Sequence, residues 1–309
     1  MDVEHFMVKV PAFSTAASEA RVATAADYAA CRKVMLNASK NYSFASKYLP
    51  VDKRLHVEAL YALMRIGDDR VDVAHAGFRS AEEAIDQWAM SYREAFETGS
   101  SPDPVMRAYL DTAIKFAIPM DTMIPYFRAM RQDLTINRFP TFSDLLRYME
   151  GSAIPVGRAM TYILGIRQPH RMEDALHGAD ALSIAMQLSN FWRDIGHDWT
   201  IGRVYIPQED LEMFHYSELD LAEQRINTNL VSLLEFQFER TERFYQISRE
   251  KVTLLDSGRW AVFCALEIYQ SILDSIRRNR YDVFTRRAGT SGIQKFRLAL
   301  KSSFHTIRL

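Results

Sequence analysis

Two short acidic stretches hold the residues that could do chemistry. In the first, Tyr61, Arg65, Asp68 and Asp72 are spaced by 4, 3 and 4 residues, which puts all four on one face of a helix. In the second, Gln187, Asn190, Asp194 and Asp198 step by 3, 4 and 4, so amides and carboxylates line one stripe. Two carboxylates one turn apart repel by about 0.2–0.5 kcal/mol on a solvated helix. Half buried, each ion costs several kcal/mol unless a cation compensates. Oxygen donors at this spacing suit a hard divalent cation, above all one shared with a substrate phosphate. Taken alone, the first stretch could also be a solvated acidic turn neutralised by Arg65 and Arg70.

The second stretch is the more specific. Ile184, Leu188, Phe191 and Ile195 form the opposing apolar stripe of an amphipathic core helix. Its polar side is carboxamide and carboxylate, with Arg193 at the edge, rather than the Lys/Glu mixture of a wet surface. Gly202-Arg203-Val204-Tyr205-Ile206-Pro207 follows. Gly202 permits a sharp turn and Pro207 can start the next helix. Arg203 and Tyr205 are then expected on a short loop at the mouth of a pocket between the acidic helices. Guanidinium groups beside a bound divalent cation are what a departing diphosphate needs as its charge develops.

The elements that must position these groups read as helices. Only 12 Gly and 10 Pro punctuate 309 residues, of which 48% are hydrophobic. Helical periodicity dominates from Ala25 onward, and strand-like alternation is scarce. The pattern predicts helices over about 24–39, 52–73, 174–199 and 259–278, and a longer, interrupted one over 220–256. Asp52 is placed as an N-cap, and Thr141 with Asp144 as a capping box opening a helix to about Leu164. Gly151, Pro155 and Gly157 predict a kink in that helix. The expected fold is all-α, a single domain over 24–309 preceded by a loosely held arm over 1–23.

The chain has 38 basic and 39 acidic residues, so no basic excess exists to bind nucleic acid. Cys31 and Cys264 are far apart and in no paired motif, which predicts reduced thiols, a cytoplasmic setting and no cysteine metal site. No stretch approaches about 18 uninterrupted apolar residues, and no secretory signal is visible at the N-terminus. A glycine-rich dinucleotide fingerprint is absent, so no nicotinamide cofactor is expected.

The segment from Gln187 to Asp198, with Gly202–Pro207 behind it, resembles the second signature of the squalene/phytoene synthase family. Asp68-Asp69-Arg70-Val71-Asp72 resembles that family's first aspartate-rich motif. Ser39-Lys40 with Tyr42, Met130-Arg131-Gln132-Asp133-Leu134 and Tyr281-Asp282-Val283-Phe284-Thr285-Arg286-Arg287 also match in order, so the resemblance covers about 25–300. It implies the isoprenoid synthase helical bundle around a central cavity. It further implies that Asp68, Asp72, Asp194 and Asp198 bind magnesium, for which manganese could substitute. Ser39, Arg65, Gln187, Asn190, Arg193, Arg203 and Arg286 would bind diphosphate, and Tyr61, Tyr148, Tyr205 and Tyr269 would line the reaction cavity.

The implied reaction joins two prenyl diphosphates head to head through a cyclopropylcarbinyl diphosphate. Proton loss at the end gives phytoene, water capture hydroxysqualene, and hydride transfer squalene. The reading preferred is phytoene from geranylgeranyl diphosphate. A squalene, hydroxysqualene or presqualene diphosphate synthase acting on farnesyl diphosphate is the alternative. The run Ser152-Ala153-Ile154-Pro155-Val156-Gly157 resembles bacterial hydroxysqualene synthases. A cyclase working on one prenyl diphosphate and a non-catalytic assembly protein are readings of other classes. Greasy substrates imply peripheral membrane contact; the oligomeric state is left open.

Overall fold

The computed structural model describes residues 23–38, 49–72 and 77–288. Ser39 and nearly all of the expected arm lie outside these; Ala23, the arm's last residue, is buried. The elements in order are α1 (Ala25–Ala38), α2 (Val51–Asp72), α3 (Ala81–Thr98), α4 (Pro104–Lys115), α5 (Ile124–Gln132) and α6 (Phe142–Ser152). They continue with α7 (Ile154–Leu164), α8 (Met172–Thr200), α9 (Gln208–Met213), α10 (Glu218–Ala222), α11 (Thr228–Lys251) and α12 (Arg259–Arg278). Among the described residues there is no strand, only an isolated bridge between Ile166 and Leu255. None of their helices is long and apolar enough to cross a membrane.

Local chemistry explains most boundaries. Thr141 and Asp144 form the expected capping box: the Thr141 hydroxyl accepts from the Asp144 amide at 3.1 Å, and the Asp144 carboxylate accepts from the Thr141 amide at 3.1 Å. Asp103 caps α4 with Pro104 behind it. Asp52 is not a cap. The α2 helix starts at Val51, with the Pro50 carbonyl accepting from the Lys53 and Arg54 amides, so Asp52 sits in the first turn, where its charge favours the positive end of the dipole. The kink expected near Pro155 is a full break at Ala153 (φ −125°, ψ −47°) between α6 and α7. The helix expected over 220–256 divides, because Gln224 takes φ 52° and Asn227 caps a fresh start at Thr228, its side chain accepting from the Leu230 amide.

Helix α8 is the axis of the architecture. At 29 residues it is about 44 Å long, and α7, α11 and α12 pack along it. Two apolar cores result. One unites α2, α3, α4 and α5 around Leu60, Leu63, Trp88, Tyr92 and Tyr109. The other unites α6, α8, α11 and α12 around Leu188, Trp192, Phe238, Tyr245 and Leu273. The two acidic helices, α2 and α8, belong to different cores, and a cavity opens between them. Both cysteines are free and buried, and burial pushes the Cys31 thiol up to about 12.

Candidate active site

The cavity has a volume of about 390 Å³. Tyr61, Arg65 and Asp68 from α2 and Gln187 and Asn190 from α8 form its polar end. Its body is apolar, with Met35, Val57, Leu60, Met64, Met160, Leu182, Met186 and Val262 on the wall. Down α8 the wall runs from Asn190 through Met186 and Leu182 to Ala179, Gly178 and Ala175, a span of about 22 Å. One cavity thus joins a charged end to a long greasy one.

One carboxyl of each aspartate pair is pushed up at the polar end. Burial, assisted by repulsion from Asp72, pushes Asp68 up to about 6 against a hydrogen bond from Tyr126. Burial and the charge of Asp194 push Asp198 up to about 7. Arg203 stands between the pairs, close enough to feel Asp72 and to act on Asp198. Its amide bonds the Asp198 carbonyl at 2.8 Å, which places the side chain.

These donors fit a hard divalent cation. They are oxygens from two opposed helices, and a double positive charge would relieve the repulsion within each pair. Among the described residues no three His, Cys, Asp or Glu side chains converge into a ready-made cage. Each pair therefore leaves coordination positions open to phosphate oxygens and water, the usual arrangement for magnesium.

Asp194 is already engaged. Arg193 meets it from the same helix at 2.9 and 2.5 Å, and Arg287 meets it at 2.8 and 2.9 Å. Burial pushes this carboxyl up, yet the two guanidinium groups outweigh it and its pKa is lowered. Arg287 reaches the site because the chain around Val283–Phe284 crosses α8 directly over Gly196. A Cβ there would lie 2.7 Å from the Phe284 Cα. Arg286, the neighbour expected to reach diphosphate, is exposed. Arg65 pairs with Asp69 at 2.5 Å.

The four tyrosines divide. Tyr61 and Tyr269 are on the cavity wall. Tyr148 and Tyr205 are beside its polar end, in a stack where Tyr205 lies on Phe191 (centroids 3.9 Å, interplanar 10°) and near Phe139 and Tyr148.

Sequence reasoning missed Tyr126 and Asp133. The Tyr126 hydroxyl donates to Asp68 Oδ1 at 2.9 Å. It can do so only because the neighbouring helical residue is Gly67, whose Cβ would meet that hydroxyl at 2.3 Å; a glycine inside α2 was the available signal. Asp133 faces the Tyr148 hydroxyl and Arg203, and burial pushes its carboxyl up to about 6. It lies in the matched Met130–Leu134 segment. Glu150 is exposed.

Comparison with known proteins places this geometry. The family model described as squalene/phytoene synthase matches residues 35–294. A phytoene synthase of Arthrospira platensis is 33% identical over 275 residues, covering 84% of this chain and 87% of the relative. A 15-cis-phytoene synthase of Synechococcus elongatus is 32% identical over 270 residues, with coverage of 84% and 87%. Among solved structures, a dehydrosqualene synthase in complex with ligand superposes with a TM-score of 0.82 at 27% identity, over 92% of this chain and 98% of that one. A squalene synthase from Alicyclobacillus acidocaldarius gives 0.74 at 28% identity, over 83% and 95%.

Proposed function

The chain belongs to the squalene/phytoene synthase family, and on that premise we propose that it joins two geranylgeranyl diphosphates head to head, through a cyclopropylcarbinyl diphosphate, to give phytoene. It is a prenyltransferase of the phytoene/squalene synthase type. The observation that carries the substrate assignment is the wall of small residues at the deep end. Ala175 and Ala179 line that end, with Gly178 packed against Lys251, along about 22 Å of α8, the reach of an extended geranylgeranyl chain. A farnesyl chain is one isoprene unit shorter and would leave that end unfilled.

Magnesium held by Asp68, Asp72, Asp194 and Asp198 would supply electrophilic assistance to diphosphate departure. Arg193, Arg203 and Arg287 would hold diphosphate oxygens as charge develops on them. Gln187 and Asn190 would orient the diphosphates, and Arg65 would join once released from Asp69. Ser39 and Arg286 keep their proposed places as further diphosphate ligands. Tyr61 and Tyr269 present ring faces to the cationic centre, and the Tyr148–Tyr205 stack closes the polar end beside Asp198. The apolar body binds the tails by burial, at about 0.8 kcal/mol per CH₂, and keeps bulk water from the cation. Peripheral contact with a bilayer would let such substrates enter and leave.

The test incubates purified protein and magnesium with geranylgeranyl or farnesyl diphosphate and identifies products by mass spectrometry. Phytoene from the longer substrate is expected. Absence of diphosphate release from both would sink the enzymatic reading, and single-unit cyclic products would make the chain a cyclase. A second reading, squalene-type products from farnesyl diphosphate, is supported by the likeness to the two solved synthases.

A further inference from the structure

The far end of the cavity is not wholly apolar. Apart from Arg65 and Asp68 at the polar end, Lys251 is the only charged residue among the described ones on the wall. Its stem lies across α8 at Gly178, where a Cβ would meet the Lys251 Cβ at 2.3 Å and Cγ at 3.1 Å. Its ammonium ends on Asp174 Oδ1 at 2.9 Å. Arg171 holds the other oxygen of that carboxylate at 3.0 and 2.9 Å. Two cations thus share one anion in the first turn of α8, where the helix dipole adds positive potential. Glu173 and Glu250 beside them are exposed and off the cavity wall.

Ser248 supplies an independent sign. It is only 1% exposed, it lines the cavity, and its Oγ has no hydrogen-bond partner among the described residues. Other buried hydroxyls on these two helices satisfy themselves on the carbonyl one turn back, as Ser189 and Thr241 do at 2.8 and 2.7 Å. An orphaned buried hydroxyl is rare, and a salt bridge that merely pinned α11 to α8 would have no use for one. Ser248 and Lys251 are three positions apart on α11, so they share one face, one turn from each other.

A ligand that meets both needs an acceptor at one end and an apolar body. An ammonium has three N–H donors, and Asp174 takes one of those on Lys251. The Lys251 and Asp174 side chains are 25% and 43% exposed, so a charged head need not lose all its water there. From Gly178 to Asn190 the lane runs about 18 Å along α8, past Ala179, Leu182 and Met186. The surplus of one positive charge matches a singly charged head rather than a diphosphate. We propose that the deep end binds a long-chain fatty acid, its carboxylate accepting from Ser248 Oγ and Lys251 Nζ and its chain lying along α8 toward Asn190. This site goes beyond the head-to-head reading and does not need it. One consequence does rest on that reading: a bound fatty acid occupies the lane of a prenyl tail and so inhibits competitively.

Calorimetric titration of the whole protein with palmitate, kept below its micellar range, tests the site without turnover. Palmitate should bind, and hexadecanol, which keeps the chain and lacks the charge, should bind at least about tenfold more weakly. Lys251→Met keeps most of the stem and should weaken palmitate by about tenfold or more while leaving hexadecanol unchanged. Ser248→Ala should weaken palmitate by about fivefold, and it carries the test alone if Lys251→Met does not fold. Absence of palmitate binding, equal binding of the two probes, or an affinity that either folded variant leaves unchanged overturns the proposal. In turnover of geranylgeranyl diphosphate, palmitate should raise KM and leave kcat alone; inhibition that persists at saturating substrate puts the carboxylate elsewhere and overturns it. If no diphosphate is released, the head-to-head reading fails instead, and the titration still decides the fatty-acid site.

Discussion

The guanidinium of Arg287 clasps both oxygens of Asp194, Nε to Oδ1 at 2.8 Å and Nη2 to Oδ2 at 2.9 Å, although the two residues are 93 positions apart. An aspartate proposed to bind metal is thus neutralised by an arginine from the segment that crosses α8 at Gly196. Loading with magnesium diphosphate would free Arg287 to move from carboxylate to phosphate. Its side chain is 71% exposed, so the pair adds at most about 1 kcal/mol to stability. Arg287→Ala is expected to lower diphosphate release by about tenfold or more, the value of a charge-assisted hydrogen bond, with a thermal midpoint close to wild type. Arg286→Ala should do much less. Equal effects of the two substitutions would dissolve the distinction.

The same contact separates two substitutions that the spacing of the aspartates makes look alike. Asp68 is raised by burial and by Asp72, so Asp68→Asn removes an unfavourable charge and should leave the thermal midpoint unchanged or higher. Asp194 is lowered by its two arginines, so its ionised form stabilises the fold. Asp194→Asn should cost about 1–2 kcal/mol, seen as a midpoint lower by a few degrees. Both should reduce turnover by orders of magnitude. Equal midpoints for the two variants would contradict the assigned electrostatics.

Asp198 makes stability depend on pH. Its folded pKa, about 7, lies above the ordinary carboxylate value of about 3.9. The folded state therefore holds the proton more tightly, and this group's contribution to stability falls as pH rises from about 4 to about 7. His56 acts oppositely. Burial and Lys115 hold its pKa down at about 4, so its contribution is lost as pH falls below about 6.5. Comparison with Asp198→Asn isolates the carboxylate. In chelator, the variant's thermal advantage should be larger near about pH 7.5 than near about pH 5, and saturating magnesium should shrink it. A gap independent of pH would argue against a raised Asp198.

The helical fold and both acidic stripes were legible because they are periodic within one chain segment. Tyr61, Asp68, Gln187 and Asn190 are near the polar end because each shares a helical face with its neighbours. What sequence could not supply was contact between segments. Choosing Arg287 over Arg286 needs the crossing at Gly196. The retreat of Tyr148 and Tyr205 from the wall needs the stack on Phe191. Asp133 becomes a site residue only when the end of α5 meets Tyr148. The break at Ala153 shows a subtler limit: Gly and Pro near a helix middle announce a disturbance but not its size.

Gly67 and Tyr126 test how the first acidic helix is held. A Cβ at position 67 would lie 2.3 Å from the Tyr126 hydroxyl, so Gly67→Ala must push that ring off Asp68, at about 1–3 kcal/mol for overpacking. Tyr126→Phe removes only the hydroxyl, whose one proton is shared between Asp68 and the Met64 carbonyl, and should cost about 1 kcal/mol. Without the Tyr126 bond, which lowers its pKa, Asp68 should titrate higher, and the acid limb of the turnover profile should move to higher pH. An unshifted limb in a folded Tyr126→Phe would show that the hydroxyl only packs.

Chain length is decided at the other end of α8. Ala175 lines the cavity and is 4% exposed, about 22 Å along the helix from Asn190. A phenyl ring there would fill the volume that the last isoprene unit of geranylgeranyl is proposed to occupy, while a farnesyl tail would stop short of it. Losing the burial of several CH₂ groups, at about 0.8 kcal/mol each, corresponds to a loss of more than tenfold in kcat/KM. Ala175→Phe is therefore expected to depress kcat/KM for geranylgeranyl diphosphate by at least that factor and to spare farnesyl diphosphate. If both substrates fell together, the tails would not run along α8, and the assignment of the longer substrate would lose its physical basis.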